Sequence, residues 1–234
     1  MKSLPIIFLG VFFTLAFSWT GIVLTSHLQM KDLVPATAEL VNDKGEPIGG
    51  PTFLADGEVI HGLNTEGMAA FPQRLVGEAQ RGKKVYEQMG CLYCHSQQVR
   101  RKGFGADFER GWGNRQSVAR DYIEEERVML GTMRTGPDLS NVGLRYSELW
   151  QYQHIYNPQI TSPGSTMPPY PFLFEVREVS ILRGPAPDAV ELPEAYHPGE
   201  GYEVVPTRRA KDLVAYLMNL QQDYELPEMK FTEE

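Results

Sequence analysis

Hydrophobic and polar positions divide the chain into one long apolar run, two amphipathic stretches and irregular segments between them. From Leu4 to Ser26 (LPIIFLGVFFTLAFSWTGIVLTS) no side chain carries a charge. About 20 apolar residues cross a bilayer as a helix, and this run reaches that length. A cleaved signal peptide has a shorter core, roughly 7–15 residues, followed by a small-residue cleavage site. Here Trp19 and Thr20 interrupt, no A-x-A pattern follows, and the apolar run continues to Leu24. An uncleaved transmembrane anchor is therefore expected. Lys2 flanks one end and Lys31 the other, so the positive-inside count leaves its orientation open.

The first amphipathic stretch begins at Gly77. Ala79, Val85, Tyr86 and Met89 share a helical face with Gly82 on or beside it, and Gly90 is a stop signal. The second follows Thr207, a candidate cap, and places Ala210, Leu213, Val214, Leu217 and Leu220 at near-helical spacing. Pro- and Gly-rich loops separate the two and enclose a short helix after Ser147 (SELWQYQHIY), stopped at Asn157-Pro158. "LVNDKGEPIGG" (Leu40–Gly50) reads as a small hairpin, with apolar ends around a turn. Other strand signals are sparse. The pattern predicts short helices wrapped around something, with too few apolar runs to form a large core unaided.

Composition changes this picture little. Of 234 residues, 42% are apolar and 22% charged, which describes a globular chain. The net charge of −8 argues against nucleic acid. It leaves a basic protein partner open, with ordinary solubility an equally good account.

Chemistry enters at "GCLYCHSQ" (Gly90–Gln97), which holds both cysteines of the chain, followed directly by His95. C-x-x-C-H is the attachment pattern of a c-type haem: Cys91 and Cys94 add to the vinyl groups and His95 takes one axial position on iron. A structural zinc site wants four ligands, and there is no second cysteine pair. A thioredoxin-like pair would follow a strand, whereas a helix precedes this one. One covalently bound haem c is the expected cofactor. Methionine is the expected sixth ligand of an electron-transfer haem, and Met167 stands out in the proline-stiffened "SPGSTMPPYPFL" (Ser162–Leu173). His154, Met129 and Met133 are the outside candidates.

"RTGPDLSNVG" (Arg134–Gly143) resembles the loop that class I cytochromes c place beside the proximal histidine. By that resemblance Pro137 accepts a hydrogen bond from His95 and Leu139 packs on the porphyrin. The order of helix, C-x-x-C-H, T-G-P-D-L, M-P and terminal helix also matches. It implies an all-α, class I cytochrome c fold in which the end helices cross near the haem and Gly82 permits close approach to Tyr216. The haem itself would fill the missing core.

"RTGPDLSNVGLRYSELWQYQHIYNPQITSPGSTMPPYPFLF" (Arg134–Phe174), together with "GCLYCHSQ" and the anchor, resembles subunit II of the cbb-type haem–copper oxidases, the FixO/CcoO family. The resemblance implies a division into an N-terminal transmembrane anchor (1–28), an extracytoplasmic linker (29–76), a monohaem domain (77–224) and a tail (225–234). It further implies a haem domain on the periplasmic side of a bacterial inner membrane. Electrons would pass from another c-type cytochrome to the catalytic haem–copper subunit, with no catalytic residue on this chain. Val99-Arg100-Arg101-Lys102 departs from the family's M-I-R-P, and 104–130, 175–201 and the segment before Pro72 match loosely or not at all. An anchored cytochrome subunit of nitric oxide reductase and a free membrane-tethered electron shuttle are the alternatives. A peroxidase-like enzyme would need an open iron position and an acid–base constellation, and none accompanies Met167.

Overall fold

Two units emerge in a computed structural model, Met1–Ala70 and Phe71–Glu234. The described residues are 3–31, 33, 36–39, 68–72, 74–180, 182, 184–222, 224 and 226, with backbone alone for 36–39 and 68–70.

In the first unit the uncharged run forms one helix, Leu4–Met30, long and apolar enough to cross a membrane. It comprises α1 (Leu4–Ser18), a π-helical segment (Trp19–Leu24) and α2 (Thr25–Met30). Its three threonine hydroxyls turn inward onto the backbone. Thr14 donates to Gly10 O, Thr20 to Ala16 O and Thr25 to Thr20 O at 2.7–2.8 Å, so these three donors are satisfied within the helix. The helix runs past Ser26 because His27-Leu28-Gln29-Met30 contains no breaker. Strand β1 (Ala36–Glu39) pairs with β2 (Met68–Phe71). The hairpin expected at Leu40–Gly50 lies outside the described residues.

The second unit is built on a crossing of α3 (Gly77–Gln88) and α6 (Arg208–Met218). Both present the apolar stripe read from their sequences: Ala79, Gly82, Val85 and Tyr86 on α3, and Ala210, Leu213, Val214, Tyr216 and Leu217 on α6, are buried. Gly82 sits at the contact itself. A Cβ there would lie 1.8 Å from Asp212 O and 2.7 Å from Tyr216 Cβ. Tyr86 and Tyr216 meet edge to face beside it, their centroids 5.4 Å apart. Thr207 caps α6, accepting from Ala210 N at 3.4 Å. The short α4 (Val142–Arg145) and α5 (Glu148–Tyr156) pack on α6, and Ser147 caps α5 by accepting from Trp150 N.

The unit is mostly helical, but two regions depart from the helical expectation. Strand β3 (Phe174–Glu178) pairs antiparallel with β4 (Tyr202–Pro206), Val176 opposite Val204. The β-branched residues of both strands suit a sheet. Their connection, 179–201, is too long for the turn signals that mark hairpins in sequence. Residues 99–134 hold only one 3₁₀ turn, Ala119–Tyr122, and are ordered by charge. Asp107, fully buried, accepts from Arg100 Nη2 at 2.9 Å and Arg134 Nη1 at 2.7 Å. Asp121 is bound by both terminal nitrogens of Arg115 at 2.7 and 2.8 Å.

Candidate cofactor site

Helix α3 ends at Gly90, whose φ of +75° turns the chain into a 3₁₀ turn at Cys91–Tyr93. That turn brings both thiols and the imidazole to one place. Cys91, Cys94 and His95 line a cavity of about 520 Å³, together with Pro137, Leu139 and Met167. All six residues singled out in the sequence therefore share one cavity. Its remaining walls come from α4, α5 and α6, including Val142, Trp150, His154, Ile155, Leu213 and Leu217. Met129 is instead in the hydrophobic core and Met133 is 58% exposed; neither lines the cavity. Met89, at the end of α3, does line it.

The imidazole is held on two sides. His95 Nδ1–H donates to Pro137 O at 2.8 Å. A carbonyl can only accept, so the proton sits on Nδ1 and the Nε2 lone pair is left for a metal. Gly136 lies against the ring: a Cβ there would be 2.2 Å from His95 Cε1. The backbone ties the two segments together, Gly136 N donating to Cys94 O and Leu139 N to Ser96 O. Asp138, fully buried, accepts from Ser96 Oγ at 2.6 Å and Gln98 N at 2.8 Å. Asp138 therefore fastens the 134–139 loop to the residues that follow His95.

The loop bearing Met167 is fixed by a side chain that sequence reading passed over. Gln159 donates from Nε2 to Ser165 O at 2.7 Å and accepts at Oε1 from Gly164 N at 2.8 Å. Tyr170 N closes the loop on Ile155 O. Another unread feature is a stack along the α5 wall, Tyr146 on Trp150 (3.8 Å) and Trp150 on His154 (4.5 Å). Aromatic residues at i and i+4 were visible in SELWQYQHIY and its preceding Tyr146. His154 Nδ1 is 2.6 Å from Thr161 Oγ1.

Burial favours the neutral forms of the thiol and imidazoles that line the cavity. Burial pushes the Cys91 thiol up to about 12. Burial lowers His95, opposed by its bond to Pro137, and brings His154 down to about 4, with His95 adding to the effect. Neither Asp nor Glu is among the described residues that line the cavity. Tyr86 Oη and Gln151 Nε2, on buried side chains that contribute to its walls, have no hydrogen-bond partner among the described residues.

A haem fits this donor set. Both thiols are free of any disulfide; the imidazole has its metal-binding lone pair open; the walls are largely apolar, as a porphyrin face requires. Cys91 and Cys94 would hold it, with His95 and Met167 toward the iron.

A mostly helical domain with a thiol, imidazole and thioether cavity defines a small cofactor-binding module of the cytochrome kind. Residues 73–183 match the family described as cytochrome c oxidase, mono-heme subunit/FixO. The match takes in α3, the cysteine turn, the Pro137 loop and the Met167 loop, and stops before α6. No curated protein matches the chain.

Proposed function

We propose that the chain is the membrane-anchored monohaem cytochrome c subunit of a cbb-type haem–copper oxidase. It would pass electrons from a further c-type cytochrome to the catalytic subunit. The observation that carries the reading is the convergence of Cys91, Cys94, His95 and Met167 on one cavity, with Nδ1 of His95 committed to Pro137. When bound, a haem c supplies a one-electron iron couple. The chain's own residues attach it through Cys91 and Cys94, orient His95 through Pro137 and Gly136, and present Met167 from a loop pinned by Gln159. The α3–α6 crossing at Gly82 supports a class I cytochrome c fold. The Leu4–Met30 helix would hold the domain at a bacterial inner membrane with the haem on the periplasmic side, laterally packed against the catalytic subunit. Those placements, and the assignment of 77–224 as the haem domain, rest on the family and on the apolar run.

The axial assignment has a direct test. The ferric protein should show the weak far-red methionine-to-iron charge-transfer band. Met167→Ala should remove that band and lower the potential while leaving haem covalently attached. Retention of the band would move the ligand to another methionine, Met89 first among them.

A further inference from the structure

The stretch that departs from the family's M-I-R-P carries a chemistry that the cofactor cavity does not use. Val99 is buried, and the seven residues that follow it, 100–106, are all exposed. This projection is braced at its base. Asp107, which ends it, accepts from Arg100 N at 2.8 Å and from the guanidinium groups of Arg100 and Arg134. Gly105 lets the Arg100 side chain lie against the backbone, where a Cβ would be 2.3 Å from Nη2. Phe104 N donates to Arg101 O at 3.1 Å, which folds 101–104 into a turn.

The tip holds charge that the chain does not neutralise. Arg101, Lys102 and Arg110 are exposed and pair with no carboxylate among the described residues, and the exposed acid nearby is Glu109. In a chain of net charge −8 this is a local surplus of cations. Among them Phe104 is 62% exposed, with the Arg101 guanidinium 4.2 Å from its ring centroid. Cations set around a solvent-facing aromatic ring suit a bilayer interface: the charges attract anionic headgroups and the ring enters the boundary with the acyl chains. An acidic protein would have to offer the ring a pocket, whereas a headgroup layer yields to it. Each cation close to an anionic membrane strengthens the contact roughly fivefold, so Arg101 and Lys102 together contribute on the order of twentyfold. That is too little to recruit a free protein, but it suffices for one that a membrane helix already keeps beside the bilayer. We propose that the Arg101–Phe104 turn is a membrane-contact site that docks the second unit onto anionic phospholipid headgroups. Docked there, the unit presents its cofactor to partners in a narrower range of orientations. The inference rests on the reading of Leu4–Met30 as a membrane anchor.

The test uses the full-length protein in lipid nanodiscs, either of phosphatidylcholine alone or of phosphatidylcholine and phosphatidylglycerol in equal parts. Both contain a trace of phosphatidylcholine with a photoactivatable acyl chain, and lipid adducts are mapped by peptide mass spectrometry. Adduct on the Leu4–Met30 peptide in both discs marks an inserted anchor; its absence would defeat the anchor reading and the proposal with it. With the anchor labelled, the peptide containing Phe104 should carry on the order of tenfold more adduct in the anionic discs than in the neutral ones. Added salt should shrink that difference by screening the surface charge. Joint replacement Arg101→Gln and Lys102→Gln should cut the loop adduct in anionic discs on the order of twentyfold. Lys84→Gln, which removes an exposed cation from α3, should leave it unchanged. Should the double variant misfold by circular dichroism, the salt series on the native chain decides. A labelled anchor with no loop adduct, equal loop adduct in the two discs, a difference insensitive to salt, or an equal loss in Lys84→Gln would overturn the proposal. Loop labelling abolished by reconstitution with the subunits that co-purify with the chain would assign the turn to an acidic protein surface and overturn it as well.

Discussion

The 99–134 loop and the cavity wall both carry polar groups in the interior, and they differ in how their charges are paired. In the loop the buried charges find partners on the chain: Asp107 between Arg100 and Arg134, Asp121 against Arg115. Along the cavity Tyr86 Oη and Gln151 Nε2 have no partner among the described residues, and Arg145 has no carboxylate. Buried polar groups in folded proteins are normally satisfied. Asp107 and Asp121 are satisfied by arginines of the chain itself, whereas Arg145 at the cavity has no carboxylate among the described residues.

The contrast breaks first at the helix crossing, on which the cavity depends. Gly82→Ala gains about 1 kcal/mol of helix propensity. A Cβ at 1.8 Å from Asp212 O forces α3 and α6 apart, an overpacking cost of about 3 kcal/mol or more. The clash wins, so little folded, haem-loaded protein should be recovered, by far-UV circular dichroism and Soret absorbance. Normal yield and melting temperature would show that the helices do not meet there.

A change in the loop should cost stability without touching the cofactor. Arg115→Met strands Asp121 without its ion-pair partner, and breaking a buried pair this way costs about 3–5 kcal/mol. Denaturant unfolding should show the loss, while the haem spectrum of the remaining folded protein stays native. A spectral change of the Met167 kind would mean that loop and cavity are not separate.

The smallest effect is in acid. Burial opposes ionisation of Asp107, but hydrogen bonds from Arg100 and Arg134 outweigh it and hold the carboxyl at about 2, below its ordinary 3.8. A depressed carboxylate contributes stability above its unfolded pKa and loses it as pH falls through the folded one. The loop's contribution should therefore be complete above about pH 4 and fade toward pH 2. Asp107→Asn should flatten that part of the stability-against-pH curve, and an unchanged curve would remove Asp107 from the account.

What could be read from the sequence followed from how local its signals are. The stripe Ala210, Leu213, Val214, Leu217 repeats at helical spacing, and the cysteine turn is a contiguous motif. Both needed no knowledge of the fold. Pro137 was reached through resemblance and Met167 through its proline-stiffened loop, and the structure brings both to His95's cavity. Strands β3 and β4 escaped because 179–201 separates them without a hairpin turn. The Asp107 cluster joins residues far apart in sequence, and charge pairing of that kind leaves no periodicity. Gln159 was invisible for the same reason: its meaning lies in which loop it faces once folded.

The central claim is that Cys91 and Cys94 carry a haem covalently. Intact-protein mass spectrometry of the detergent-extracted chain, after acid denaturation that strips any non-covalent cofactor, tests it most directly. The account predicts the polypeptide mass plus one haem, one haem less in the Cys91→Ser, Cys94→Ser double variant, and a haemochrome characteristic of thioether linkage. A native chain at the bare polypeptide mass would contradict it.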